Sequence, residues 1–263
     1  MQTDIVIGAA SGMGAAIAGQ LGADGRRLVL ADVDEAGARK VAAEIGPDVE
    51  VVRCDLASAD DVAALAGGIE QLGTLVMTAG LSPTMGAGRR IYEVDLLGPA
   101  RLVRAFEAAL GEGSVGVLFA SMAAHLVPPS AEVEAVLDDP LAPGFWDGLT
   151  VLGFDPDEPS LAYALAKRGL VRLVEREARR WGRHGARLLS LSPGIVDTPM
   201  GRAEAAAQPV MAGMVDGSAL GRMIRPDEIA AVVAFLTSPT ATAMTGTDVL
   251  VDGGAVAGFT VRQ

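Results

Sequence analysis

A single cysteine among 263 residues excludes an intramolecular disulfide. Cys54 lies in the strand-like run Val51-Val52-Arg53-Cys54, where a small buried hydrophobe is the expected role, and a reducing cytoplasm suits such a chain. Basic residues are in the minority, 21 Lys+Arg against 33 Asp+Glu, and the net charge of −12 sets up a field that repels a nucleic-acid backbone. There are two histidines, His125 and His184, and no cluster of His, Cys, Asp and Glu has metal-ligand spacing, so no metal is implied. The longest uncharged stretch, Gln71 to Gly88, is interrupted by glycine, proline, serine and threonine and does not read as a membrane helix of about 20 apolar residues. The opening Met1-Gln2-Thr3-Asp4 runs straight into an apolar strand without the basic region and apolar stretch of a signal peptide, so no membrane partner is expected. Aromatics supply only 4% and charged residues 21%, and nothing in the balance is disordered or fibrous.

What is present is an apolar half: 50% of the residues are hydrophobic, enough to bury one sizeable core, and a single domain over 1–263 is expected. Short β-rich runs at Ile5–Ile7, Leu28–Ala31, Val49–Arg53, Leu75–Thr78, Val115–Ala120, Ala186–Leu191 and Asp248–Val251 alternate with helical periods at Met13–Ala23, Glu35–Ile45, Ala59–Ile69, Ile91–Leu110, Leu161–Trp181 and Asp227–Leu236. Pro226 suits a first helical turn. This alternation predicts an α/β chain: a doubly wound parallel sheet of about seven strands with helices on both faces. Two stretches break it. Residues 125–159, rich in Pro, Asp and Gly, are an insertion longer than a connecting loop needs. Residues 199–225 carry Met200, Met211, Met214 and Met223 after a strand end, where open α/β sheets place ligands, and are read as a substrate loop.

After the first strand comes Gly8-Ala9-Ala10-Ser11-Gly12-Met13-Gly14, leading into a helix. Glycines at such a turn let the backbone approach a pyrophosphate whose charge then faces a helix N-terminus. The second strand ends at Asp32, whose carboxylate can accept both hydroxyls of an adenosine ribose and repels a 2′-phosphate; neither Ala10 nor Ser11 offers a compensating cation. These features favour NAD over NADP. The helix cap for Glu35–Ile45 is assigned to Asp34 rather than Asp32.

Tyr163 and Lys167 are four apart in a helical segment and emerge on one face, setting an ammonium beside a phenol. A positive neighbour lowers a phenol's pKa and makes it a proton acceptor near neutrality. Ser121 ends a strand at the carboxyl edge of the sheet, where its hydroxyl can hold a substrate oxygen. Taken with Asp55-Leu56, Ala79-Gly80 and Pro193-Gly194 followed by Thr198, these motifs resemble the short-chain dehydrogenase/reductase family over essentially the whole chain.

The resemblance implies a Rossmann fold and a catalytic group of Ser121, Tyr163 and Lys167, with Tyr163 transferring the proton while a nicotinamide carries the hydride. It assigns Gly8, Ser11, Gly12, Met13, Gly14, Asp32, Asp55, Leu56, Ala79, Gly80, Tyr163, Lys167, Pro193, Gly194, Ile195 and Thr198 to the cofactor. Asp55 would touch the adenine, and the Ile195 backbone and Thr198 the nicotinamide carboxamide. It also implies a homo-oligomer, dimer or tetramer, packed through the helix bearing Tyr163 and its neighbour, a contact the insertion is placed to block or replace.

Two departures stand out. Asp95 occupies the place of the family's catalytic asparagine and is kept as the fourth catalytic residue, unable to donate like the amide but able to accept a proton or hold water near Lys167, and Thr78-Ala79-Gly80 stands in the place of Asn-Ala-Gly. Ser121 and Tyr163 are also much further apart than is usual, a layout similar to bacterial 3α-hydroxysteroid dehydrogenase/carbonyl reductases. The expected function is NAD-dependent oxidation of a secondary alcohol or reduction of a ketone on a bulky apolar or alicyclic small molecule. The alternatives are an NADPH-dependent 3-oxoacyl thioester reductase, which Asp32 disfavours, and a non-catalytic NAD-binding scaffold, against which Ser121, Tyr163 and Lys167 argue. His125, four beyond Ser121, is read as an incidental loop histidine rather than a residue of the pocket mouth, and at least one of the insertion's Phe145, Trp146 and Phe154 is expected near the substrate, or else these aromatics pack a subunit interface.

Overall fold

Seven strands form one parallel sheet: β1 (Thr3–Ile7), β2 (Leu28–Asp32), β3 (Val49–Arg53), β4 (Leu72–Met77), β5 (Val115–Phe119), β6 (Arg187–Pro193) and β7 (Asp248–Val251), in spatial order β3-β2-β1-β4-β5-β6-β7. The structure is a computed structural model describing residues 2–23, 25–128 and 130–260, so Met1, Asp24, Pro129 and 261–263 of the expected 1–263 domain, and Pro129 of the insertion, lie outside the described residues. The central strands β1, β4 and β5 are buried at every position, because helices cover both faces of the sheet and leave no solvated side to alternate with.

The period of two decides which core each residue joins. Ile5, Ile7, Val29, Ala31, Leu75 and Met77 point to one side, where they meet α3 (Ala59–Gly67), α5 (Gly98–Ala105) and α8 (Pro159–Gly182). Val6, Leu28, Leu30 and Val76 point to the other, against α1 (Gly12–Ala23), α2 (Glu35–Ile45) and α11 (Pro226–Thr237). As expected, Asp34 caps α2 by accepting from the Gly37 N–H, and Pro226 sits in the first turn of α11.

The helix expected over Ile91–Leu110 is not continuous. It runs as α4 (Gly88–Tyr92), a π turn (Glu93–Leu97), α5 and a 3₁₀ turn (Phe106–Ala109). Hydrophobic period cannot distinguish these windings, and π turns of this kind are frequent at functional sites. The stretch 199–225 is likewise not a plain loop, since it contains α9 (Pro199–Ala207) and α10 (Pro209–Asp216), which prolines open.

The insertion forms α6 (Ala131–Leu137) and α7 (Phe145–Val151) and builds a satellite core away from the sheet. Leu137, Phe145 and Leu149 are buried against Tyr92, Leu96, Ala162 and Leu165. On the outer side α6 lies over α8, where Arg172 pairs with Asp138 at 2.9 Å, Arg176 with the same carboxylate at 2.9 Å, and Arg168 with Glu134. Its aromatics therefore serve packing: Phe145 and Trp146 meet Tyr92 edge-on at ring separations of 5.6 and 5.8 Å, and the Arg89 guanidinium lies 4.9 Å over Trp146.

Candidate active site

The chain reverses its winding between β1 and β4, and a crevice opens beyond their carboxyl ends, as open α/β sheets require. Here a cavity of about 520 Å³ is found, within the ordinary range for small-molecule sites. Every residue assigned by resemblance to the cofactor lines it: Gly8, Ser11, Gly12, Met13, Gly14, Asp32, Asp55, Leu56, Ala79, Gly80, Tyr163, Lys167, Pro193, Gly194, Ile195 and Thr198. Ser121 lines it too.

The glycine turn fits a bound dinucleotide. Gly8 adopts φ +88°, open to few residues with a Cβ, and a Cβ there would lie 2.4 Å from the Ala79 nitrogen. On Gly14 a Cβ would fall 2.0 Å from the Gly8 carbonyl oxygen. The turn is bolted to β4 by Thr78, whose hydroxyl donates to the Ile7 and Gly8 carbonyls at 3.0 and 3.1 Å. Asp32 is held in place by the backbone, its two oxygens accepting from the Ala10 and Asp34 N–H groups at 2.9 Å each.

Asp55 is less free than the sequence suggested. Arg90 of α4 grips both its oxygens, at 2.9 and 3.2 Å, across the same end of the cavity. Burial pushes the Asp55 carboxyl upward, but the Ala57 N–H and the Arg90 guanidinium more than offset this and hold it below its usual value. Cys54, beside it, is buried as expected, and desolvation together with Asp61 raises its thiol to about 11, an inert form.

The reacting centre sits at the end of β5. Ser121 follows the strand and caps a 3₁₀ turn (Met122–His125), accepting from the Ala123 N–H at 3.2 Å, and its hydroxyl favours the ionised form of the Tyr163 phenol. One turn further along α8, Lys167 is almost fully buried at 4% exposure, donating to the Phe119 carbonyl at 3.0 Å, with its Nζ 5.7 Å from the Tyr163 ring centroid.

Asp95 stands behind this group and does not line the cavity. The π turn carries it inward at 0% exposure, where Oδ1 accepts from the Leu81 N–H at 2.8 Å and Oδ2 lies 3.2 Å from the Lys167 ammonium. The Lys167 contact is an ion pair by distance, but its angle is outside hydrogen-bond geometry, so Oδ2 has no hydrogen-bond partner. Gly80 makes room for the pair, since a Cβ there would press on Lys167 Nζ at 3.1 Å and on both Asp95 oxygens at 3.3 Å. Burial raises the Asp95 carboxyl, and Lys167 and the Leu81 N–H only partly oppose it.

The sequence leads one to expect a lowered Tyr163 phenol. In the structure it is raised: burial dominates, the Ser121 contact lowers it only in part, and the negative charges of Asp95 and Glu204 raise it further. The Lys167 ammonium lies nearer to Asp95 Oδ2, at 3.2 Å, than to the phenol, 5.7 Å from its ring centroid, so its field is shared between them.

Several expectations are corrected. Phe145, Trp146 and Phe154 do not line the cavity, because they fill the core between the insertion and α4 and α8. His125 lies outside the pocket, as expected of an incidental loop histidine, but it has a partner the sequence does not reveal, its Nε2 being 2.8 Å from Asp248 on β7. Of the four loop methionines, Met200, Met211 and Met214 line the cavity and Met223 packs behind them. The sequence reading missed Arg90, Ser82 and Glu204. Glu204 carried a usable signal, since it lies four residues after Met200 on one helical face.

The family model described as enoyl-(acyl carrier protein) reductase matches residues 8–137 and 156–256, its gap falling inside the insertion. An uncharacterised short-chain type dehydrogenase/reductase of Sinorhizobium fredii is 32% identical over 95% of this chain, which spans only 43% of that protein's length. The 3-alpha-hydroxysteroid dehydrogenase/carbonyl reductase of Comamonas testosteroni is 31% identical over 97% of this chain and 96% of its own. Among solved structures, a short-chain dehydrogenase of Burkholderia cenocepacia in complex with NADP superposes with a TM-score of 0.76 at 25% identity, covering 97% of each chain. Among the described residues no helix is long and apolar enough to cross a membrane.

Proposed function

The chain belongs to the short-chain dehydrogenase/reductase family, and from that premise we propose that it is an NAD(H)-dependent enzyme interconverting a secondary alcohol and its ketone on a bulky apolar or alicyclic small molecule. The observation that carries this reading is the convergence of Ser121, Tyr163 and Lys167 on one cavity that also holds the glycine turn. When bound, the nicotinamide cofactor supplies the hydride acceptor or donor.

This chain's own residues handle the proton and the substrate oxygen. Ser121 and Tyr163 hold that oxygen between two hydroxyls at the end of β5. Tyr163 takes the alcohol proton in oxidation and returns it in reduction, a role worth about 10²–10⁴ in rate. Lys167, fixed by the Phe119 carbonyl, supplies the positive charge that favours phenolate, and Asp95 holds Lys167 in place. Met211, Met214, Leu126 and Ile195 make an apolar wall suited to a ring system.

Preference for NAD over NADP rests on Asp32, fixed at the adenosine end, while the nearby arginine, Arg90, is already neutralised by Asp55. The relative from Comamonas testosteroni, named for hydroxysteroid and carbonyl substrates, supports the alicyclic assignment. The test is a panel of secondary alcohols and cyclic ketones with NAD(H) and NADP(H), followed by absorbance of the reduced nicotinamide. Turnover of at least one ring alcohol or ketone, faster with NAD(H), is expected; absence of turnover with every pair overturns the proposal.

A further inference from the structure

The cavity has more than an apolar lining. Alongside the methionines, α9 presents Met200 and Glu204 to the interior, four apart along one helical face, and Gln208, which caps the helix in extended backbone, lines the cavity beyond them. Glu204 is the charged member of this stripe. Ser82, buried at 1% exposure and followed by the cavity-lining Pro83, carries a hydroxyl that favours the ionised form of Glu204 and lies 3.0 Å from the Thr84 hydroxyl.

Glu204 is a carboxyl group without an ion-pair partner among the described residues; its charge is answered by the Ser82 hydroxyl and, at longer range, by Lys167. Lys167 is already committed to Asp95 at 3.2 Å. One ammonium therefore faces two carboxyl groups. The Glu204 charge also reaches the Tyr163 phenol, so it acts on the space the reacting oxygen must occupy. Burial raises the Glu204 carboxyl and the Ser82 hydroxyl and Lys167 oppose this only in part, so a ligand hydroxyl donating to it would stabilise its ionised form. A ligand carboxylate would meet a second and third negative charge with one cation already shared. A ligand ammonium would have to share the same carboxyl groups with Lys167. A neutral hydroxyl meets neither objection.

We propose that Glu204 is a specificity-determining residue that receives a second hydroxyl of the substrate, so that the enzyme acts on alicyclic diols or hydroxyketones and rejects the corresponding carboxylates. The inference rests on the proposed alcohol/ketone activity and adds the substrate class to it. The substrate's ring would lie against the methionine wall with one hydroxyl at Ser121 and Tyr163 and another at Glu204.

The test compares cyclohexanol, the 1,2-, 1,3- and 1,4-cyclohexanediols and 4-hydroxycyclohexanecarboxylate in the unmodified enzyme, Glu204→Gln and Glu204→Ala. Glu204 is only half-buried on a helix, and alanine suits a helix, so both variants are expected to fold. A hydrogen bond to a charged group should favour at least one diol over cyclohexanol by about tenfold or more in kcat/KM. Glu204→Ala should abolish that preference, bringing kcat/KM for the best diol to within about twofold of that for cyclohexanol, whatever change in kcat the lost charge brings to both substrates alike. Glu204→Gln should retain part of the diol preference and accept the carboxylate about tenfold better than the unmodified enzyme does. The inference is overturned when no diol is preferred, when the preference survives Glu204→Ala, or when the unmodified enzyme takes the carboxylate as well as the best diol. Calorimetric titration of the same compounds into NAD⁺-saturated protein reads the subsite independently. Absent turnover with a diol preference that depends on Glu204 would sink the proposed reaction alone, whereas equal or undetectable binding of diol and cyclohexanol sinks the subsite.

Discussion

The Lys167 ammonium lies 3.2 Å from Oδ2 of Asp95, a carboxylate buried at 0% exposure, and 5.7 Å from the ring of Tyr163. An anion so placed works against the phenolate that the reaction needs. It draws the ammonium's field toward itself and adds its own repulsion to the phenol. Asp95→Asn removes that charge while keeping an acceptor for the Leu81 N–H. Because a nearby anion raises a phenol's pKa, removing it must lower it. The ascending limb of the kcat/KM profile for alcohol oxidation, where Tyr163 must lose its proton, should move to lower pH by about one unit, equivalent to about 1.4 kcal/mol. An unchanged profile would show that Asp95 holds Lys167 without tuning Tyr163.

Tyr163→Phe should lose about 10²–10⁴ of the rate, because only the proton handle is removed. Cofactor affinity, measured by fluorescence titration, should stay within about threefold, since the ring and its packing remain. Lys167→Ala should lose both, because the buried Asp95 is left without its counter-ion, a loss of about 3–5 kcal/mol when a buried pair is broken.

Cofactor choice should follow Asp32 and the Arg90–Asp55 pair. Asp32→Ala is expected to narrow the gap in Kd between NAD⁺ and NADP⁺ by about tenfold, as removal of one close like charge implies. Asp55→Asn releases Arg90 from a bidentate ion pair and should improve NADP⁺ relative to NAD⁺. Isothermal titration checks both, and equal affinities in the unmodified protein would refute the assignment to Asp32.

Gly14→Ala places a Cβ 2.0 Å from the Gly8 carbonyl oxygen, and both atoms are held by backbone rather than by a side chain that can swing aside. The turn must open. A loss of about 1–3 kcal/mol in stability is expected, with cofactor Kd raised at least about tenfold. Thermal unfolding with and without NAD⁺ separates the two effects: a variant with native Tm and native cofactor shift would contradict the cradle.

Trp146→Ala tests the insertion. Trp146 packs on Phe145 at 5.0 Å and under Arg89 at 4.9 Å, away from the cavity lining. The expected result is a lower Tm from lost packing, about 2–3 kcal/mol for a half-buried indole, with KM for the best substrate changed less than about twofold. A raised KM at unchanged Tm would return the insertion to the substrate mouth.

By itself the sequence determined the parts of this protein that are local. The seven strands, the glycine turn after β1 and the i, i+4 placement of Tyr163 and Lys167 all follow from backbone periodicity and from what glycine permits. Asp34 and Pro226 announced their helices in the same way. Tertiary structure alone decided the relations across the fold. The insertion packed its aromatics into a core away from the cavity because Tyr92, Leu96 and Leu165 leave an apolar face there, which no local pattern within 125–159 records. A π turn, invisible to hydrophobic period, carried Asp95 beneath Lys167. Arg90 met Asp55, and Glu204 met the cavity, across 35 residues in the first case and through a helix after β6 in the second. The direction of the Tyr163 shift belongs to this second class. Burial and summed charge set a pKa, and both depend on which distant groups the folded chain brings within reach.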